Sequence, residues 1–341
     1  MGRSHKKESM RNNMNKPIRG SINFQKFYQS QGAVLLILLV MCVFVSMFSD
    51  SFFTWSNISN ILSQSVTIGL TGIGITFVIL TGGIDLSVGG QIVFIATCGM
   101  MLYTNKSLGM SEFSVVAVML GLGILCGSVN GLIIVKFRMA PFIATLATNN
   151  ITKGLALFLS KGKTIFGIPV SYSKVGLGVF LGVPICVWLM LILFILAYII
   201  LKRTTFGRKI YAVGSNTKSA WLSGINVNMT IFAAYLINGL MAAFAAYVLT
   251  SKLLSCPGTL GDGAELNAIA AVIIGGTSLT GGEGGIVGTL IGALILTVIS
   301  NALNLLSVSA FLQDVIKGCI ILIAIVLDMA RKGYMFKKTY D

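Results

Sequence analysis

The sequence predicts an all-α polytopic membrane protein of about ten transmembrane helices, and three observations carry that expectation. Of 341 residues, 55% are hydrophobic and only 10% are charged, where a soluble domain carries about 25%. The mean hydropathy is +0.89, and the apolar residues come in continuous runs instead of the alternation that marks a membrane β-barrel. Most runs have roughly the 16–24 residues that a helix needs to cross about 30 Å of hydrocarbon. Too few ionic groups are present to cover a water-soluble fold, which excludes a soluble enzyme, a disordered tail protein and a secreted disulfide scaffold.

In chain order, a basic tail occupies 1–31, a transmembrane domain 32–329 and a second tail 330–341. Ten apolar segments fall at 33–48, 58–81, 89–104, 113–135, 142–159, 179–201, 229–250, 268–280, 286–306 and 312–328. Basic residues precede the first, as in a signal peptide. Ser49-Asp50-Ser51 behind it gives no small-x-small cleavage pattern, so it reads as a retained span. The eighth is short for a crossing and reads as a broken or re-entrant helix, which needs protein or an aqueous cavity over its backbone.

The net charge of +15 follows from basic residues in cytoplasmic loops and implies no nucleic acid. With the N-terminus inside, eighteen Lys and Arg fall in inside segments and five in outside ones, so both termini are expected in the cytoplasm. Cys42, Cys98, Cys126, Cys186, Cys256 and Cys319 share no CxxC spacing and read as small buried hydrophobes. The single histidine, His5, lies in the basic tail, which excludes a histidine-based metal site or triad.

An internal duplication is visible. Gly83-Ile84-Asp85-Leu86-Ser87 follows span 2, and Gly263-Ala264-Glu265-Leu266-Asn267 follows span 7. Gly123, Gly127 and Gly131 recur in span 4, and Gly284, Gly288 and Gly292 in span 9. Lys153-Gly154 lies in span 5 and Lys317-Gly318 in span 10. The shared order predicts that spans 2–5 and 7–10 are repeats, inverted by their odd offset, with a pathway at their interface. Lys153 and Lys317 are then expected at equivalent places. The glycine rows read as sites of close helix approach or as lining of the pathway.

Charges in or beside spans each cost about 2.5–3.5 kcal/mol at midspan unless paired or hydrated. Asp85, Lys153, Glu265 and Lys317 are therefore candidates for a hydrated path or gate. Structural readings stand beside this: Asp314 and Lys317 can pair on one helix face, and Asp85 and Glu265 can cap the helix that follows. The amides Asn149, Asn150, Asn238, Asn301 and Asn304 can bond a hydroxylated solute or one another across helices; Asn149 and Asn301 are added to the candidate path. The loop 275–285 is glycine-rich but lacks the Lys-Ser/Thr ending of a P-loop, and reads as a flexible break.

Residues 202–228 form the longest internal loop. Asn216 is an N-cap and Gly224 a helix stop, with about two turns between them. Ala220, Trp221 and Leu222 offer an apolar surface beside Lys218, suited to a partner's groove or to an interfacial anchor at headgroup level.

Four stretches resemble a known family: Ile79-Leu80-Thr81-Gly82-Gly83-Ile84-Asp85-Leu86-Ser87-Val88-Gly89; Phe142-Ile143-Ala144-Thr145-Leu146; Phe206-Gly207-Arg208 through Leu222-Ser223-Gly224-Ile225-Asn226-Val227; and Glu265-Leu266 through Ile273-Ile274-Gly275-Gly276-Thr277-Ser278-Leu279 and Gly288-Thr289-Leu290-Ile291-Gly292-Ala293. From about residue 33 onward the chain resembles the membrane permease subunits of bacterial ABC importers for monosaccharides, the ribose-type branch. The resemblance implies ten-span permeases paired in the cytoplasmic membrane, expected here as a homodimer, two cytoplasmic ATPases and an extracytoplasmic sugar-binding protein. It makes the loop helix a coupling element, with Asn216, Lys218, Ala220, Trp221, Leu222 and Gly224 as its residues. Many relatives open this helix with Glu-Ala-Ala; here Thr217-Lys218-Ser219 stands instead. Gly162-Lys163-Thr164 has Leu157 where a P-loop needs glycine, so no nucleotide, cofactor or catalysis is expected of this chain alone. The alternative reading is a secondary transporter of a small polar solute, with Asp85 or Glu265 as its ion site.

Overall fold

The computed structural model describes residues 24–331; the segments 1–23 and 332–341, with His5 and most of both expected tails, lie outside the described residues. The helices are α1 Phe24–Ser46, α2 Trp55–Leu80, α3 Val88–Thr104, α4 Glu112–Phe137, α5 Pro141–Ser160, the single-turn α6 Lys174–Leu177, α7 Ile185–Arg203, α8 Thr205–Ser215, α9 Thr217–Leu222, α10 Val227–Leu253, α11 Ala264–Ile274, α12 Ile286–Leu305 and α13 Ala310–Arg331. Each expected apolar segment overlaps a helix. Six of these, α2, α4, α5, α7, α10 and α12, are long and apolar enough to cross a membrane.

Local chemistry sets the ends. Thr54, Ser111 and Asn226 cap α2, α4 and α10 by accepting from the backbone N–H three residues on. The sixth segment starts later than expected. Residues 179–184 form a hairpin, β1 Val179–Phe180 against β2 Val183–Pro184. Its turn residues Leu181 and Gly182 have φ of 52° and 79°, the left-handed pair that a two-residue hairpin requires. The eighth segment is corrected from 268–280 to 264–274. Gly276, at φ 85°, stops the helix, and Thr277 N–H returns to Val272 O. At 11 residues, α11 is about 16 Å long, half the hydrocarbon thickness.

The core is built on α2 and α10, which pack on each other and are mostly buried. α10 also packs on α3 and α4, and α2 on α11 and α12. α3 meets α4 and α5, α11 meets α12 and α13, and the pairs α4–α5 and α12–α13 touch. Backbones approach through glycine: a Cβ on Gly127 would collide with Tyr235 O of α10, and one on Gly123 with Gly239 O. Gly288 and Gly292 abut Gly275 and Ala271 O of α11. The two glycine rows therefore both serve close approach, against different partners, and Gly284 precedes α12 instead of lying in it. The outward faces of α1, α5 and α7, with Leu36, Val40, Ile143, Ile151, Ile192 and Leu196, are apolar and exposed, as lipid contact demands. Cys126, Cys186 and Cys256 are buried, and Cys319 is exposed on α13.

Candidate functional site

The loop between α7 and α10 holds two helices where sequence suggested one. Thr204 caps α8 by accepting from Gly207 N–H at 3.2 Å. Gly207, Ile210 and Val213 bury one face of α8, while Arg208 and Lys209 stay exposed. Gly214 lets α8 lie directly on Leu80 O and Gly282 N. Tyr211 Oη donates to Gly284 O at 3.0 Å; burial pushes this phenol up to about 12, so it stays a neutral donor. Gly282 N–H in turn donates to Leu80 O at 3.0 Å. α8 thus ties together the end of α2 and the loop before α12.

α9 follows at once. Asn216 Oδ1 accepts from Ser219 N–H at 2.8 Å. Gly224, at φ 79°, ends the helix, and Ile225 N–H returns to Ala220 O at 3.1 Å. Trp221 is 66% and Leu222 69% exposed, but Ala220 is only 4% exposed. The expected apolar surface is corrected accordingly: Ala220 packs inward, and Trp221 and Leu222, with exposed Lys218, make the outer face. Trp221 also lines an open cavity of about 350 Å³ with Gly224, Ile225, Asn226, Val227 and Asn228.

The candidate path residues divide into two groups. Asn149, Lys153 and Glu265 come together where the N-termini of the short helices α3 and α11 meet. Ser87 precedes α3 but makes no side-chain cap; its hydroxyl donates to Asp85 Oδ1 and accepts from the Asn130 and Gln91 amides instead. Partners from other helices serve the exposed N–H groups of α3 instead. Asn149 Oδ1 of α5 accepts from Gly90 N–H at 2.8 Å. The Glu265 carboxyl of α11 lies against the Gly89 backbone, its Oε2 buried without a well-formed hydrogen bond. Glu265 thus faces the start of α3 as well as opening its own helix. Lys153, one turn beyond Asn149, pairs with Asp262 at 2.7 Å, tying α5 to the loop before α11. Sequence reasoning missed Asp262; its signal was an acid between Gly261 and Gly263, both at positive φ.

Asp85, Asn301 and Lys317 lie apart from that group. Asp85 is fully buried. Its Oδ1 accepts from Ser87 N–H at 2.8 Å, and its Oδ2 from Asn238 Nδ2 at 2.8 Å and Asn130 Nδ2 at 3.5 Å. Asn130 and Gln91 also donate to Ser87 Oγ, and Tyr235 Oη donates to Ile84 O at 3.3 Å. The loop is thereby held by α4 and α10. Asn301 exchanges two amide hydrogen bonds with Asn57, of 2.7 and 3.1 Å, joining α12 to α2. Lys317 pairs with Asp314 on its own helix at 3.6 Å.

Comparison with known proteins identifies the family. A family model described as branched-chain amino acid transport system / permease component matches residues 57–325. The chain belongs to this permease family. The permease is 45% identical over 318 residues, 92% of this chain and 96% of the relative, to a ribose import permease protein of Bacillus subtilis. It is 41% identical to a ribose import permease protein of Escherichia coli, over 91% of this chain and 97% of the relative. A D-allose transport system permease protein of Escherichia coli is 36% identical to the permease over 90% of this chain and 93% of the relative. No solved structure matches the permease. Among its described residues, no group of three or more His, Cys, Asp or Glu is placed to hold a metal ion.

Proposed function

We infer that this permease is the membrane subunit of an ATP-binding-cassette importer and carries a ribose-like monosaccharide across the bacterial cytoplasmic membrane. The observation that carries the reading is 45% identity along 92% of the chain to a ribose import permease protein. Its partners are a cytoplasmic ATPase, an extracytoplasmic sugar-binding protein and a second copy of itself. ATP is bound by the ATPase, and this chain contributes no cofactor and no reaction chemistry.

Ten segments cross the membrane with both termini inside, the half-length α11 making the eighth together with the non-helical turns at its ends, a reading supported by the split of eighteen inside to five outside basic residues. Helices α2–α5 and α10–α13 form the inverted repeat. Exchanging each member of one set for its counterpart turns every packing pair named above into another observed pair, and α2–α10 into itself. Sugar passes between two copies. Closure of the ATPases moves α9, α8 carries that movement to the ends of α2 and the α11–α12 loop, and the equilibrium between outward and inward access shifts. The group around Asn149, Lys153, Asp262 and Glu265 lies beside the path; Asp85, Asn301 and Lys317 hold helices in place.

Reconstitution with the ATPase and binding protein in vesicles tests this. D-ribose uptake should require ATP and survive collapse of proton and sodium gradients. Uptake driven by an ion gradient without ATP would instead favour the ion-coupled alternative.

A further inference from the structure

A cavity of about 200 Å³ opens between α2, the end of α10 and the start of α11, lined by Thr67, Ile68, Thr71, Leu249, Gly261, Asp262, Ala264 and Asn267. We propose that it is a monosaccharide subsite within the permease itself, in which Thr67, Asn267 and Asp262 take sugar hydroxyls and Ile68 and Leu249 take the apolar face of the ring. The inference rests on the reading of this chain as a sugar permease and adds residues that the path candidates did not include.

Three features of the cavity carry it. First, two of its polar side chains are free to bind. The Thr67 hydroxyl and the Asn267 amide make no hydrogen bond among the described residues, although both residues are half-buried. Thr71 Oγ1, by contrast, is committed to Thr67 O at 2.8 Å. Second, the set is chemically matched to a polyol. An amide supplies donors and an acceptor, a hydroxyl one of each kind, and a carboxylate acceptors only. Each sugar hydroxyl can therefore both give and receive. Third, the wall is tied to a neighbouring helix by a part-exposed ion pair. Lys153 holds Asp262 at 2.7 Å from α5, and Ala264 N–H donates to Gly261 O at 3.0 Å in the adjoining turn. The volume lies below the roughly 300–1,000 Å³ of pockets for drug-sized ligands, which selects a single small ring.

The geometry also explains why the neighbouring acids do not reject such a solute. A neutral sugar brings hydroxyl donors to Asp262 without adding a charge.

The test uses the full complex with its ATPase and binding protein in vesicles, with radiolabelled D-ribose, D-allose and the 2-, 3- and 5-deoxyriboses as probes. Asn267→Ala and Thr67→Val should each slow flux of a hydroxylated sugar about tenfold, the size of one hydrogen bond, with ATPase co-purification unchanged. At least one deoxy sugar, lacking the partner hydroxyl, should be slowed by no more than twofold. Equal slowing of every sugar by a variant, or no slowing at all, would overturn the subsite while leaving the importer reading in place. If the wild-type complex carries none of these sugars under ATP, the importer reading itself falls and the subsite with it.

Discussion

Asp85 shows how a buried acid can be structural. Its carboxyl takes donors from its own loop, from α4 and from α10, so its oxygens are satisfied by hydrogen bonds without a cation. Asp85→Ala would strand the Asn238 amide and the Ser87 backbone N–H and hydroxyl in the core. A buried unsatisfied donor costs about 1–3 kcal/mol, so the variant should lose about 3 kcal/mol or more, read as a lower unfolding temperature in detergent. Asp85→Asn, which keeps the shape and one acceptor, should fall between the two. An alanine variant as stable as the wild type would show that this network does not hold the loop. The acid itself was legible from its Gly-x-acid-Leu setting. Its partners were not, because Asn130 and Asn238 lie 45 and 153 residues away and only packing brings them near.

α9 was legible as an element and α8 was not. Asn216 and Gly224 announce a cap and a stop with ordinary helix chemistry. α8 contains Gly207 and Gly214, which lower helix propensity by about 1 kcal/mol each against alanine. These glycines are tolerated because each allows backbone contact, Gly207 with Leu201 O and Gly214 with Leu80 O; tertiary docking overrides propensity there. The same packing divides α9 into two faces with different expected phenotypes. Trp221→Ala should weaken ATPase association by about 2 kcal/mol, the contribution of a buried aromatic anchor, with normal insertion and lost uptake. Ala220→Asp, at a buried position, should disorder the loop itself and lower stability. Co-purification of the ATPase, uptake and thermal unfolding measured together separate the two; intact association in Trp221→Asp would move the contact elsewhere in the loop.

Across the whole molecule, orientation is the testable quantity. In a chain whose native cysteines are replaced, a cysteine at Lys161, in the turn after α5, should react with a membrane-impermeant maleimide in intact cells. One at Lys218 on α9 should react only after permeabilisation. The reverse pattern would invert the topology and remove α9 from the side where ATP is hydrolysed. Cys319 must be among the replaced residues, since it is exposed on α13.

Hydropathy and charge alone pointed to a helical membrane protein, marked its apolar segments and set the orientation to be tested, because the cost of burying charge and backbone in hydrocarbon depends on local composition. The motifs also placed it among sugar permeases, and relatives along nine-tenths of the chain agree. The tertiary structure decided what each polar residue does. Asn149, Lys153 and Glu265 gather at the meeting of two short helices, while Asn301 turns to Asn57 and Lys317 to its own helix. It also turned Ala220 inward and Trp221 outward. A polar side chain in a dry interior must find a partner, and which partner is within reach is a property of how the helices pack, which no single stretch of sequence contains.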